Sequence, residues 1–289
     1  MKTTVVFPSD YFDLNSVVTT FSKEYALAAS MDAFNARLFN FDAFVEGAPL
    51  KFDKPVGHGQ RLALYRGWMF KPEQYERFFS ECSNWGLRLM TSPEQYELMH
   101  CFPNAYKRID GDDTAHIEVF GDTVQATVVN SAFSAFLMKD YVKSVKLTGF
   151  PQKIETPVTQ ERCDELSIEF RRLRGDLFTG GIVCKQFVEL ARYANRTNEW
   201  RGFYFGGSLL SLDGNSMQFE ICPAPPEDLV MRMQGLGSPF YTVDFGELED
   251  GSWQVLETGD GQVSGLATEI EAYRFYELLA AALAGEVHA

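Results

Sequence analysis

The chain is expected to be an α/β protein whose first part holds a largely parallel sheet and whose later part turns to α+β. Three observations carry that expectation. Short β-branched and aromatic runs alternate with helical patterns as far as Cys101; Asp110, Gly111, Asp112 and Asp113 then break the rhythm; beyond them, strands follow one another with turn signals between. This divides the chain into residues 1–113 and residues 114–289, both long enough to bury a core.

Thr3 to Phe7 is a β-branched run ended by Pro8-Ser9-Asp10, a strand-to-loop signal. Val17 to Ala29 carries a helical pattern, Asn35 to Phe44 reads as a second strand, and Arg61 to Met69 as a third. Pro72 to Asn84 is predicted helical, with proline at an early position and Phe78, Phe79 and Cys82 on one face. Leu87 to Met90 is a fourth strand, and Ser92-Pro93-Glu94 opens a helix expected to stop near Cys101 because Pro103 follows.

In the second part, Val124 to Val129 and Ala135 to Lys139 read as strands. Thr159 begins an amphipathic helix (Leu166, Phe170, Leu173, Leu177) that stops at Gly180-Gly181. Strands follow at Ile182 to Leu190, Trp200 to Phe205 and Ser208 to Leu212, then a short helix near Pro226 to Met233. A closing helix is expected from Thr268 to Ala284.

Phe240 to Val263 reads as two alternating strands joined by Asp250-Gly251, the strongest short-range signal for a tight hairpin. A two-residue turn there sets Leu248 opposite Trp253, Gly246 opposite Val255 and Asp244 opposite Glu257. Opposed carboxylates have Cβ atoms roughly 5 Å apart and repel. Mg²⁺, which takes one or two carboxylates and fills its shell with water and phosphate oxygens, would compensate them, with Asp260 as a third oxygen ligand. The alternative is a pair of ordinary edge-strand charges that discourage aggregation.

A formal net charge of −14 repels phosphate backbones and anionic membranes, so nucleic acid is not expected as the main partner. Five cysteines without CxxC or zinc spacing read as free thiols. No window approaches membrane-spanning length and the first residues run straight into a strand, so a cytoplasmic protein is expected. Among the four histidines no Ser-His-Asp or Cys-His constellation stands out, and His58, His100 and His116 read as surface or packing residues.

Three further stretches carry charge where charge is costly. In FLMKDYVKS an apolar strand ends in Lys139 and Lys143 follows; either they meet an anion or they begin a solvated loop. In GGIVCKQFVEL, Lys185 sits in an apolar run before Gln186-Phe187-Val188 and Glu189, which suits reading an adenine edge and ribose hydroxyls, or equally an edge strand with a snorkelling lysine. In EWRGFYF, Arg201 stands at a strand start, placed for bidentate contact with phosphate or carboxylate, or for a structural ion pair.

Taken in order with the acidic hairpin and LYRGWM upstream, these stretches resemble the ATP-grasp superfamily, and within it the R2K clade, named for an arginine and two lysines. The resemblance implies an ATP-grasp fold behind an N-terminal parallel-sheet domain, with ATP and Mg²⁺ as cofactors. Lys139 and Lys185 would be the nucleotide lysines, Lys143 an additional one, Gln186 to Val188 the hinge beside adenine and Glu189 the ribose ligand. Arg201 would hold the γ-phosphate or a phosphorylated intermediate, while Asp244, Glu257 and Asp260 would hold Mg²⁺. Many members carry asparagine at the position of Asp260, and residues 143–156 contain one glycine where a phosphate-covering loop is usually richer. The implied activity is a carboxylate-amine ligase acting on an amino acid, peptide or protein terminus through an acylphosphate. The alternatives are an ATP-grasp kinase or a nucleotide-binding regulatory module without turnover. Arg66, with Ser9 and Asp10 nearby, would clamp a substrate carboxylate, unless the three serve ion pairing or capping. A homodimer is the default assembly for such enzymes.

Overall fold

The structure, a computed structural model, describes residues 2–57, 59–109, 111, 113–145, 149–218 and 221–286. His58, Asp110 and Asp112 of the expected boundary, and residues 146–148 of the glycine-poor loop, lie outside the described residues. β1 (Thr3–Pro8) is buried along its whole length, as a central parallel strand covered on both faces must be. It lies between β2 (Phe34–Phe39) and β3 (Arg61–Tyr65), and β4 (Leu87–Leu89) completes a sheet in the order β2-β1-β3-β4, every pairing parallel. The crossovers carry α1 (Ser22–Ser30), α2 (Phe41–Val45) and α3 (Pro72–Asn84).

The second expected strand is cut short. Asn40 accepts a hydrogen bond from the Ala43 amide and caps α2, so the run is extended only to Phe39 and helical from Phe41. α4 (Pro93–His100) opens on the capping box of Ser92 and Gln95. α4 stops at His100 with Cys101 as its cap, as expected, and Pro103 then sits in the first turn of a further helix, α5 (Phe102–Ile109), where a missing amide hydrogen costs nothing.

Then follow β5 (Ile117–Phe120), α6 (Ala126–Ala132), β6 (Ala135–Asp140), β7 (Ile154–Glu155), α7 (Gln160–Arg174) and β8 (Ile182–Gln186), which form the antiparallel sheet β5-β8-β6-β7. The strand expected over Val124 to Val129 is the start of α6: Ala126 and Val129, three apart, bury one helical face. After a small ribbon of β9 (Arg192–Tyr193) and β10 (Arg196–Thr197) come β11 (Glu199–Phe205), β12 (Ser208–Gly214), α8 (Glu227–Arg232), β13 (Phe240–Glu247), β14 (Trp253–Asp260) and α9 (Glu269–Glu286). The last sheet is antiparallel in the order β12-β11-β13-β14. Among the described residues no helix is long and apolar enough to cross a membrane.

The hairpin keeps Asp244 opposite Glu257 by a different route from the one expected. The Leu248 amide donates to the Ser252 carbonyl (2.8 Å) and the Gly251 amide to the Leu248 carbonyl (2.9 Å), closing a three-residue loop on Gly251 at φ 84°. Asp250 steadies that loop by accepting from the Ser252 amide (2.9 Å) and hydroxyl (2.6 Å). Near the turn Phe245 therefore faces Val255 and Glu247 faces Trp253, so the expected Leu248–Trp253 and Gly246–Val255 pairs do not form. A bulge at Leu256 then supplies one extra residue and restores the Asp244–Glu257 pairing.

The two halves share a core. Phe275, Tyr276 and Leu279 of α9 pack with Phe7 and Phe34 of the first sheet and with Phe203 and Phe240 of the last. A polar network crosses the same junction. Arg66, buried at 2 % exposure, donates to Glu24 (2.6 Å) and to the Gly261 carbonyl (2.6 Å). The Gln262 amide group donates to the Tyr75 hydroxyl (2.7 Å) and to Thr91. Asp260 is fully buried here: Oδ1 accepts from the Gln262 amide (3.0 Å), while Oδ2 finds no partner. Burial pushes its pKa from 3.8 up to about 7, against the lowering effect of Gln262, Thr91 and Arg66.

Because the folded state binds the Asp260 proton more tightly than the unfolded state, its contribution is complete below about pH 4 and is lost as pH rises through about 7. Asp260→Asn carries no charge at any pH. Its stability relative to wild type should climb between pH 4 and 7 by an amount on the order of a few kcal/mol and level off above, as read by urea unfolding. Parallel stability curves for the two proteins would show that Asp260 titrates as an ordinary carboxylate.

Candidate functional site

Strand pairing lines up four charged residues across the last sheet: Asp213 opposes Arg201, Arg201 opposes Asp244, and Asp244 opposes Glu257. Arg201 grips Asp244 with both prongs, Nε to Oδ1 and Nη2 to Oδ2, each at 2.7 Å. Lys139, at the end of β6 in the facing sheet, donates to Glu257 Oε1. The enclosing walls would raise the Glu257 pKa, but Lys139, Lys143 and Lys185 outweigh them and bring it down to about 2. The two opposed acids are thus each held by a cation, one from the neighbouring strand and one from across the cleft.

Between the two antiparallel sheets lies a cavity of about 360 Å³ whose wall includes Lys139, Lys143, Lys185, the run Gln186 to Glu189, Asp244 and Glu257. β8 ends at Gln186, so residues 187–189 leave the ladder as a hinge, with the Phe187 amide still tied to the Ala135 carbonyl (3.0 Å). Lys185 is buried on β8 and donates to the Leu256 carbonyl in the hairpin bulge. Desolvation lowers its pKa to about 8 despite the pull of Glu257. Both Lys185 and Lys139 lie over the ring of Phe102, at 5.4 Å and 5.0 Å, so α5 supplies their apolar floor. Glu189 is exposed at the rim and pairs with Lys153 (3.0 Å).

Lys143 is positioned by Asp140. The fully buried Asp140 accepts from the amides of Val142 and Lys143, both at 2.7 Å, and from Arg174 (2.8 Å), which turns the chain sharply after β6. Lys143 has surface open to solvent, yet the protein around it desolvates it and lowers its pKa, with Lys139 and Arg201 adding to that and Glu257 opposing it.

A neck of about 60 Å³ joins this cavity to a second one. Arg201, Asp244, Glu257 and Lys143 line the neck, and so does His100, buried at the end of α4, stacked on Tyr96 at 4.7 Å and kept neutral by a pKa lowered to about 3 through desolvation. Beyond it opens a cavity of about 670 Å³ between the parallel sheet and residues 174–179, sharing His100, Val142, Met69 and residues 263–265 with the neck.

Three of the expected site residues, Asp260, Ser9 and Asp10, line none of these three spaces. Asp260 lies an odd number of residues from Glu257 on a regular stretch of β14, so it faces the opposite side of the sheet and enters the network with Gln262. Among the described residues no group of three His, Cys, Asp or Glu is placed to hold a metal ion. Ser9 and Asp10 shape the loop after β1, Ser9 donating to the Asp10 carbonyl (3.0 Å) and Asp10 accepting from the Phe12 amide (2.9 Å). Arg66 does line the large cavity, with its guanidinium tied to Glu24, Gly261 and Gln262. His100, Phe102 and Asp140 were not anticipated. An Asx-turn reading of Asp140-Tyr141-Val142-Lys143 would have found the last, whereas the first two depend on how α4 and α5 pack against β14.

The family model for the ATP-grasp domain of R2K clade family 3 matches residues 118–279. Solved structures share the overall fold at low identity. D-alanyl-alanine synthetase A from Vibrio cholerae superposes with a TM-score of 0.59 at 11 % identity, over 100 % of this chain and 99 % of that one. The ATP-grasp ligase PsnB, complexed with a phosphomimetic variant of its minimal precursor, Mg and ADP, gives 0.58 at 10 % identity, over 97 % of each chain. The D-cycloserine synthetase DcsG gives 0.58 at 15 %, over 97 % of this chain and 99 % of that one. None of the curated proteins compared matches the chain. The parallel sheet followed by two antiparallel sheets is the ATP-grasp fold, and the chain belongs to the ATP-grasp superfamily as a member of R2K clade family 3.

Proposed function

We propose that the protein is an ATP-dependent carboxylate-amine ligase, with residues 114–289 forming the nucleotide-binding and catalytic part and residues 1–113 helping to hold the acceptor. The observation that carries this reading is the neck: Arg201, Lys143, Asp244 and Glu257 sit between one cavity, lined by three lysines and a hinge, and a second, larger one. Family membership supports it, as do the names of the structurally similar synthetases and ligases.

ATP suits the first cavity. Gln186 to Val188 present hinge backbone to an adenine edge, Glu189 stands at the rim for ribose hydroxyls, and Lys139 and Lys185 face the phosphates. Two acids with no third fit Mg²⁺, which takes few protein carboxylates and completes its shell with water and phosphate oxygens; PsnB has been solved with Mg and ADP. Bound there, the ion would neutralise phosphate charge. Asp244 and Glu257 would hold the ion, and Lys139 and Arg201, which pair with them here, would then be free to meet phosphate oxygens.

In the reaction, an oxygen of the substrate carboxylate attacks the γ-phosphorus and the bond to the β-phosphate oxygen breaks, releasing ADP. An amine nitrogen then attacks the carbonyl carbon of the acylphosphate. The C–N bond forms, the C–O bond to phosphate breaks with its electron pair leaving on inorganic phosphate, and the ammonium proton goes to solvent. Arg201 and Lys143 steady the charge on the transferred group, and no covalent enzyme nucleophile is required.

Release of ADP and phosphate should require both a carboxylate and an amine, and hydroxylamine should be converted to a hydroxamate. A phosphorylated product that survives hydroxylamine would identify a kinase, and ATP binding without hydrolysis in any mixture would identify a regulatory module. Glu257→Gln should reduce turnover by on the order of 100-fold or more while the circular dichroism spectrum stays unchanged; undiminished turnover would remove Glu257 from the site. Since Lys185 loses its proton near pH 8, nucleotide affinity should fall as pH rises above about 8, by up to about tenfold per unit, and Lys185→Arg should flatten that fall. An equal fall in the arginine variant would assign the dependence to another group.

A further inference from the structure

The 670 Å³ cavity beyond the neck is larger than the one that suits the nucleotide, and its wall is mainly aromatic and aliphatic. Trp68 stands edge-on to Phe21 (5.5 Å) and to Phe41 (5.3 Å), and Phe41 leans on Phe70 (4.9 Å), so four rings make one continuous wall. Trp68, Phe21 and Phe41 are only partly buried, and all three line the cavity. An apolar wall kept open to water forgoes roughly 25 cal/mol for every Å² it fails to bury.

Both arginines at this cavity are already engaged. Arg66 is bound to Glu24 and the Gly261 carbonyl, and Arg174 to Asp140 and the Leu177 carbonyl. Lys71 and Asp176 are left without an ion pair among the described residues. A highly polar substrate would find few free partners here and would strip water from its own groups without return. A substrate with an apolar body would cover the rings. Toward the neck Arg201, Lys143 and His100 converge, and there a carboxylate would meet the phosphate end of the nucleotide.

From this, and resting on the ligase reading above, we infer that the carboxylate substrate carries an aromatic or branched apolar body that lies on the Phe21–Trp68–Phe41–Phe70 wall. An amino acid or peptide terminus with such a side chain fits; small or multiply charged acids do not. Trp68 and Phe41 are then the residues that set specificity.

The test is a binding measurement that needs no turnover. Isothermal titration of the full-length protein, loaded with Mg²⁺ and a nonhydrolysable ATP analogue, would compare N-acetyl-phenylalanine and N-acetyl-leucine with N-acetyl-glycine and N-acetyl-glutamate. The first two should bind at least roughly tenfold more tightly than the last two, the range that an apolar pocket provides. Trp68→Ala should erase that preference while leaving affinity for the ATP analogue unchanged; Phe41→Leu, a milder change, should shrink it. Equal affinity for all four, a preference for the glutamate or glycine derivative, no binding of any, or a preference that both variants retain would each overturn the inference. The ligase reading is judged separately by ADP release. Stimulation best with the glutamate derivative would keep the ligase and reject the apolar substrate, whereas tight binding of N-acetyl-phenylalanine with no ADP release in any mixture would do the reverse.

Discussion

The structure turns on two carboxylates that antiparallel pairing forces face to face. Asp244 and Glu257 occupy opposed positions on β13 and β14, and their repulsion has to be met by positive charge from elsewhere. Arg201 answers from the adjacent strand and Lys139 from the facing sheet, which ties the two antiparallel sheets together across the cleft. Much of the surrounding fold can be understood as holding those cations in place. Phe102 lies beneath Lys139 and Lys185, and the Asp140 carboxylate fixes the turn that delivers Lys143.

The same arrangement explains why so much charge can be concentrated in one cleft. Each acid lowers the cost of burying the lysines and arginine, and each cation does so for the acids, as the depressed pKa of Glu257 shows. Such a cluster, with more cations than acids, is suited to exchanging partners with a ligand that brings both signs of charge, phosphate oxygens together with a divalent ion. The large cavity offers the opposite chemistry, rings and hydrocarbon, with the polar neck as the point where the two environments meet.

The sequence made the parallel first sheet, the α+β character of the rest with its acidic hairpin, and the grouping of Lys139, Lys143, Lys185, Asp244 and Glu257 legible, because each depends on local pattern and on the resemblance to ATP-grasp proteins. What it hid was set by single residues overruling a pattern. Asn40 capped a helix inside an apparent strand, Pro103 lies in the first turn of a further helix that was not foreseen, and helical burial of Ala126 and Val129 prevailed over a β-branched run. Asp260 was misplaced for a simpler reason: three residues along a strand reverses the face, and the site lies on the face of Glu257. His100 and Phe102 were out of reach because nothing local shows how α4 and α5 pack against β14.

The most direct test is a crystal structure with a nonhydrolysable ATP analogue and Mn²⁺ in place of Mg²⁺, read by anomalous scattering. The account predicts a manganese peak bridged by the carboxylates of Asp244 and Glu257 in front of the triphosphate, with Lys139 and Arg201 turned onto phosphate oxygens. Carboxylates still clasped by Lys139 and Arg201, with the metal peak elsewhere, would contradict it.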